Sequence, residues 1–198
     1  MTLYASAAQI KAALRITDSV DDTLITMAGS AASDLIDGYC GRHFHLSGTV
    51  TRFFAPSDNY VLQTDDIAGT AITIQTSTGA DGVYDVTWAA IDYQLEPLNG
   101  VTSGQNTPYT RIRAVENYLW PVAGGEATVK VTARYGFEAV PVVVVQAAVL
   151  QSARIFTRLM SPLGVAGFGD MGVVRISRAL DPDVAQLVEP YRRMTGVA

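Results

Sequence analysis

The residues best suited to chemistry are one cysteine and two histidines that lie within a short stretch. They are Cys40, His43 and His45, and the chain has no other cysteine or histidine. Thiolates and imidazoles are typical zinc ligands, but a closed structural zinc site prefers four of them, and carboxylates are rarer ligands. Three such residues leave the set one short, so we expect no metal site. We interpret the stretch as a helix end that runs into the first strand.

Two pairs of adjacent aspartates raise the possibility of general acid–base catalysis. Asp21 and Asp22 are explained by the start of a helix, whose positive end favours acidic side chains. Asp65 and Asp66 lie in a predicted turn. Because side chains adjacent in sequence do not converge on one substrate, we expect neither pair, and no other residue, to be catalytic.

A glycine-rich segment, residues 164–172, has the composition of a phosphate-binding loop but not its pattern. It lacks the Gly-Lys-Ser/Thr ending, and it does not lie between a parallel strand and a helix. The sequence also has no Gly-x-Ser-x-Gly nucleophile motif. We therefore expect no nucleotide and no cofactor. The segment is rich in apolar residues for a solvated loop, which is typical of a functional loop.

Charge and composition narrow the class of protein. The net charge is −5, which argues against broad electrostatic binding to duplex nucleic acid. A hydrophobic fraction of 48% is enough for a real core, and a single cysteine favours a reducing compartment. The C-terminal third is basic relative to the rest and suits either a contact surface for an acidic partner or a solvated face. Its arginines are Arg154, Arg158, Arg175, Arg178, Arg192 and Arg193.

The stretch from Pro141 to Pro162 is the element around which the fold must be organised. Proline suits the first helical position and disfavours helix in the residue before it, so these two prolines predict a helix between them. Most of its surface is apolar, with one polar stripe of Gln151, Arg154 and Arg158. So narrow a polar stripe predicts a helix that is buried on most sides. The two arginines argue against a membrane span.

Three shorter helices are predicted from their caps and periodicity. Ser6 and Gln9 have the spacing of a capping box at the start of the first. Asp181 and Pro182 predict the start of the last, as cap and first helical residue. The second covers about residues 21–40, with Ser19 as its cap, and we expect it to pack against the 141–162 helix. Its predicted apolar face is Leu24, Ala28, Ala31, Leu35 and Tyr39, widened by Ile25, Ala32 and Ile36.

From about residue 47 the apolar residues instead cluster in short β-branched and aromatic runs. The predicted strands are residues 49–54, 60–62, 71–76, 83–88, 93–96, 110–115 and 127–135. Short strands at this spacing predict a small antiparallel sandwich or barrel. The expected fold class is therefore α+β. Residues 1–46 plus 137–198 would form a small helical bundle, and residues 47–136 an inserted antiparallel all-β region.

The order and spacing of three groups of residues resemble the head–tail connector (adaptor) proteins of tailed bacteriophages and gene transfer agents. The first group is Leu14-Arg15-Ile16, Asp21-Asp22-Thr23-Leu24 and Asp37-Gly38-Tyr39-Cys40-Gly41-Arg42. The second is Trp120-Pro121, residues 129–136 and Val140-Pro141. The third is Arg175-Ile176-Ser177, Asp181-Pro182-Asp183-Val184 and Pro190-Tyr191-Arg192-Arg193. The β-rich middle departs from the minimal members of this family, which are mostly helical.

The resemblance implies a non-enzymatic structural protein of the virion neck, assembled in the host cytoplasm. Such adaptors form a ring, typically dodecameric, beneath the portal protein. They extend the DNA channel and dock the next neck or tail component, a stopper or tail terminator. DNA would pass without specific binding, and no membrane would be involved. A closed ring needs two different matched surfaces on each subunit, and we expect them on the surplus apolar sides of the 141–162 helix and on the loop of residues 163–171. The residues expected at the subunit or portal interface are Leu163, Val165, Phe168, Met171, Arg154, Arg158, Tyr191, Arg192 and Arg193.

Two other functions stay open from the sequence. One is another virion part, such as a tail terminator or minor capsid protein, which its position in the virion would distinguish. The other is a small enzyme or a carbohydrate-binding β module on helical supports, which would need a concave pocket with convergent polar groups. The aromatic side chains for such a pocket would be Trp88, Tyr93, Tyr109 and Trp120, and the competing interpretation for each is a core position.

Overall fold

The computed structural model shows two compact units in one chain. It describes residues 3–79, 81–102, 105–160, 165–167, 173–175 and 180–193. One unit combines Met1–Phe44 with Val140–Ala198, and the other is His45–Ala139. The first unit is built of helices and the second on an antiparallel sheet. The predicted α+β class, with a β region inserted between helical segments, is confirmed.

Four α-helices form the described part of the helical unit. They are α1, Ala7–Leu14; α2, Asp22–Cys40; α3, Val142–Met160; and α4, Pro182–Val188. A 3-10 turn, Glu189–Tyr191, follows α4, and a short antiparallel hairpin pairs Val165–Gly167 with Val173–Arg175. α3 and α2 form the centre of this unit, because they contact each other and both contact α1 and α4. The predicted packing of α2 on α3 is confirmed.

Local sequence determines where these helices begin and end. The capping box is confirmed: Ser6 Oγ accepts the Gln9 N–H at 3.2 Å, and Gln9 Oε1 accepts the Ser6 N–H at 2.8 Å. Gly41 ends α2 with a left-handed φ of 63°. The prediction that Ser19 caps α2 is wrong. Asp21 has the cap position instead, because a backbone turn from Ser19 delays the start of the helix.

Burial of α3 is less complete than predicted, because one side of the helix carries exposed residues while most of the rest is buried or half-buried. The predicted polar stripe is also wrong at Gln151, which is only 4% exposed. Its Oε1 accepts the Asp181 N–H at 3.2 Å, so its polar group is satisfied inside the unit. By length and composition alone α3 would suit a membrane span, yet it packs as a core helix. Its buried positions are Val144, Ala147, Ala148, Gln151, Ser152, Ile155 and Phe156.

Eight strands are described in the sheet unit. They are β1, Thr49–Phe54; β2, Val61–Thr76; β3, Val86–Thr87; β4, Tyr93–Glu96; β5, Val101–Thr102; β6, Gln105–Asn106; β7, Tyr109–Ala114; and β8, Val129–Tyr135. Six of them form one antiparallel sheet in the order β1-β8-β2-β7-β4, with β3 paired to β2. Among the described residues β5 and β6 form a separate hairpin, and the outer strands β1 and β4 do not pair with each other. The expected sandwich or barrel is therefore corrected to an open sheet.

β2 is a single 16-residue strand, although the sequence predicts two short strands separated by a turn. Its first part pairs with β7 and its second part with β8, and the register shifts twice along it. Such shifts let a strand bend and change partners without ending. The predicted turn at Asp65 and Asp66 is therefore wrong. Asp65 forms an ion pair with Arg52 at 2.6 Å, and Asp66 is buried.

The core of the sheet unit is centred on two stacked indoles. Trp88 and Trp120 are parallel, with centroids 4.1 Å apart and planes within 6°. The alternation predicted for β8 is confirmed, since Val129, Val131 and Ala133 are buried while the residues between them are partly exposed. The other buried members of this core are Leu62, Ile67, Ile74, Ile112, Ala114 and Tyr135.

Candidate functional site

The Cys40 thiol is placed in the core of the helical unit. Its side chain is fully buried, and its Sγ lies 3.8 Å from the Val188 carbonyl oxygen. Burial raises the pKa of the Cys40 thiol to about 11, so the neutral form dominates at physiological pH. A zinc ligand must be a thiolate, so this environment opposes metal binding by Cys40.

The aromatic side chains proposed for a ligand pocket belong to the core of the sheet unit. Trp88 is 6% exposed and Trp120 is fully buried, and Trp88 Nε1 donates to Thr76 Oγ1 at 3.1 Å. Tyr93 and Tyr109 pack against the same cluster. Their placement supports the core interpretation for all four residues.

The surface that stands out in the helical unit is an apolar stripe on α2. Leu24, Met27, Ala31 and Leu35 are spaced three or four residues apart and therefore lie on one side of the helix. Met27 is 60% exposed, Leu35 is 38% exposed and Ala31 is also exposed, while Leu24 is half-buried. We call these four residues the α2 stripe. A helix that buries an apolar face and still exposes another carries more apolar surface than its own unit covers.

The α2 stripe corrects the predicted core face of this helix. The sequence pattern includes Ala31 and Leu35 among the core positions, but the structure exposes both. The buried positions lie further around the helix, because apolar residues occupy more than half of its circumference and α3 covers one side only. These buried positions are Ile25, Ala28, Gly29, Ala32, Ser33, Ile36 and Cys40.

A second apolar surface lies on α3, away from its buried face. Val142 is 81% exposed and Leu150 is 44% exposed. Val149 and Ala153 lie beside them and are half-buried. We call these four residues the α3 stripe. The exposed Gln146 lies between Val142 and Leu150 on the same side of the helix, so the α3 stripe has a polar residue at its centre. The helical unit therefore presents one apolar and one mixed surface on two different helices.

The two helices carry opposite charge. α2 contains Asp22, Asp34 and Asp37 and no basic residue, while α3 contains Arg154 and Arg158 and no acidic residue. The exposed Asp34 is adjacent to the α2 stripe. Arg154 lies one helical turn from Leu150 and forms an ion pair with Asp181, with 42% of its side chain still exposed.

The predicted interface residues have varied surroundings. Tyr191 is 8% exposed and meets the Phe44 ring edge-on at 5.8 Å, so its ring has little surface for a partner chain. The Arg192 guanidinium lies over the Tyr39 ring at 5.4 Å, and the Arg193 N–H donates to the Cys40 carbonyl at 2.8 Å. Leu163, Phe168 and Met171 lie outside the described residues. Val165 lies in the short hairpin, where only the backbone is described.

Sequence reasoning missed Met27 as a candidate contact residue, and it predicted a contact through the surplus apolar side of α3 without naming Leu150. The signal was present, because both helices have an apolar arc wider than one packed face requires. Periodicity reports that arc but does not say which part of it the fold covers.

Comparison with known proteins gives matches in structure only. No protein-family model matches the chain, and no curated protein matches its sequence. Three solved chains are similar at 18% identity each. One is described as the neck of an empty GTA (gene transfer agent) particle computed with C6 symmetry, with a TM-score of 0.57 over 98% of this chain and 92% of that one.

The other two chains come from native particles. One is described as the neck of a native GTA particle computed with C12 symmetry, with a TM-score of 0.50 over 99% of this chain and 98% of that one. The other is described as the virion of a native gene transfer agent particle, with a TM-score of 0.55 over 98% and 92%. The similarity covers both units, including the inserted sheet. The chain therefore has the fold of chains found in the neck of gene transfer agent particles.

Proposed function

We propose that this chain is a structural head–tail adaptor of a virion neck, and that its copies form a closed ring. The observation that carries the proposal is a fold shared along nearly the whole chain with neck chains of particles computed with C12 and C6 symmetry. Those symmetries support a cyclic arrangement of identical copies. The role is architectural and requires no enzyme chemistry.

Surface properties of the helical unit support the same role. In a closed ring each subunit meets its two neighbours through two different surfaces. The α2 stripe and the α3 stripe are two such surfaces, and each is apolar enough to favour association. Contiguous exposed apolar patches mark interaction sites, and this is the use proposed for both stripes.

We also propose partners for the ring. The ring would lie beneath the portal protein, continue the DNA channel and receive the next neck component, a stopper or tail terminator. A net charge of −5 suits a channel through which DNA passes without being held. The residues predicted for the portal contact, Arg192 and Arg193 among them, remain part of this proposal.

Electron microscopy of the purified chain, alone and mixed with portal rings, tests the function. The expected result is a ring with a central opening that stacks on one end of the portal. A chain that stays monomeric and never associates with portal rings would contradict it. A position elsewhere in the particle would instead favour the alternative of a tail terminator or minor capsid protein.

A further inference from the structure

We propose that the ring is closed by one contact repeated around it, in which the α2 stripe of one copy packs on the α3 stripe of the next. This inference rests on the proposed ring and names the surface that forms it. The occupant of each stripe is thus a second copy of this chain. Three observations support the pairing: exposure, charge and the arrangement of the two helices within the unit.

Exposure shows that both stripes are available for a contact. Met27 and Leu35 on α2 keep 60% and 38% of their surface, and Val142 and Leu150 on α3 keep 81% and 44%. On α2 the small residue Ala31 lies between Met27 and Leu35. On α3 the exposed Gln146 lies between Val142 and Leu150, and the small residue Ala153 follows Leu150. Alternating large and small residues allow two helices to approach closely and interdigitate.

Charge determines which pairing is favoured. Two of the three acidic residues of α2 already have partners inside the unit, because Asp22 pairs with Lys11 and Asp37 with His43. The acidic residue beside the α2 stripe is Asp34, and the arginine beside the α3 stripe is Arg154, which pairs with Asp181. Contact of α2 with a second α2, or of α3 with a second α3, would bring like charges together. Contact of α2 with α3 brings Asp34 towards the exposed part of Arg154. The electrostatics therefore favour two unlike surfaces over a symmetric pair.

The packing inside each unit makes the same pairing repeatable. Within one copy α2 already contacts α3, and the stripes are the parts of these two helices that the contact leaves exposed. When a second copy is added, its α3 would pack on the free side of α2 of the first copy, so that α2 and α3 alternate along the ring. Each copy then uses each stripe once, which is the heterologous contact that a closed ring requires.

Two variants that each block one stripe test the pairing. Met27→Asp places a charge in the α2 stripe, and Leu150→Asp places one in the α3 stripe. Each variant alone should lose rings by native mass spectrometry, with association weakened by about a hundredfold or more because a charge would be buried without a partner. Mixed together, they retain one intact α2 stripe and one intact α3 stripe. The mixture should therefore give a one-to-one heterodimer that does not grow further.

Matched controls separate this contact from folding and from the ring itself. Thr26→Asp makes the same change at the neighbouring exposed position, outside the stripe, and should leave rings intact. Circular dichroism checks each fold, and Leu35→Asp serves as a second α2 variant should Met27→Asp unfold. Rings that persist in Met27→Asp and Leu35→Asp, or a mixture without heterodimer, would overturn the pairing alone. A wild-type chain that forms no ring, with or without portal, would overturn the proposed function as well.

Discussion

Gly136 follows β8 in a backbone conformation that a side chain would not tolerate. Its φ is 106°, and a Cβ atom added there would lie 1.9 Å from the His45 carbonyl oxygen. Its N–H also donates to the Asp66 carbonyl at 2.8 Å, so the backbone is held in place on both sides. Glycine is required here by close packing of backbone against backbone as well as by φ.

Gly136→Ala should lower the free energy of unfolding of the sheet unit by about 3 kcal/mol, because the methyl group and the backbone cannot both keep their places. Urea denaturation followed by tryptophan fluorescence measures this, since Trp88 and Trp120 report on that core. Gly48→Ala is the control, because a Cβ there meets nothing within 4 Å. Equal stability of the two variants would contradict the assigned backbone geometry.

Cys40 gives a second prediction at the scale of a single residue. Its thiol pKa is raised by burial to about 11, above the value of the unfolded chain, so folding keeps it protonated. The native chain should therefore react with a thiol reagent at pH 8 roughly a hundredfold more slowly than the urea-unfolded chain. The stability that this shift contributes is complete below pH 9 and is lost as the pH rises towards 11.

A native chain that is labelled as fast as the unfolded chain would show that Cys40 is accessible as a thiolate. Thr26→Cys provides the positive control for the assay. It places a thiol at an exposed position on the same helix, and that thiol should react rapidly in the folded state.

At the scale of elements, the sequence predicts correctly what neighbouring residues determine. The Ser6 capping box, the end of α2 at Gly41 and the start of α4 at Asp181 each depend on contacts within a few residues. The alternation along β8 is equally local. These local signals predict the positions of the helices and of several strands. The fold class follows from the order of those elements.

Features that depend on distant contacts are not predicted. The continuity of β2 across Asp65 and Asp66 depends on pairing with β7 and β8, which lie further along the chain. The burial of Gln151 depends on Asp181, thirty residues away. The exposed side of α2 depends on which part of its apolar arc α3 covers. The sequence therefore predicts that surplus apolar helix surface forms the candidate contact, but it does not identify all the residues of that surface.

The link between α3 and α4 provides a prediction at this scale. Asp181 caps α4 by accepting the Asp183 N–H at 2.7 Å, and it also forms an ion pair with Arg154. Asp181→Ala removes both interactions and should lower the free energy of unfolding by about 1–2 kcal/mol. Urea denaturation followed by far-ultraviolet circular dichroism measures the loss.

Asp183→Ala is the control for this prediction. Asp183 is exposed in the first turn of the same helix, so its removal should cost about 0.5 kcal/mol or less through the helix dipole. An effect of Asp183→Ala as large as that of Asp181→Ala would show that the cap and the ion pair do not anchor α4.

At the scale of the whole molecule, the chain consists of two compact units, one helical and one built on a sheet. The sheet unit has its own core around Trp88 and Trp120 and also exposes large apolar side chains such as Phe53, Ile91 and Leu98. The helical unit combines a core around α3 with two apolar stripes that its own fold does not cover. In the proposed ring, these stripes would be the two different surfaces through which each copy contacts its neighbours.

Native mass spectrometry of the wild-type chain, alone and with portal rings, tests the central claim most directly. We predict one dominant closed oligomer with a fixed number of copies, and not a series of oligomers whose size grows with protein concentration. The reason is that every stripe in a closed ring is occupied by a neighbouring copy, so no further copy can bind. The same oligomer should be found on the portal. A chain that remains monomeric under both conditions, or that grows into open chains of variable length, would contradict the account.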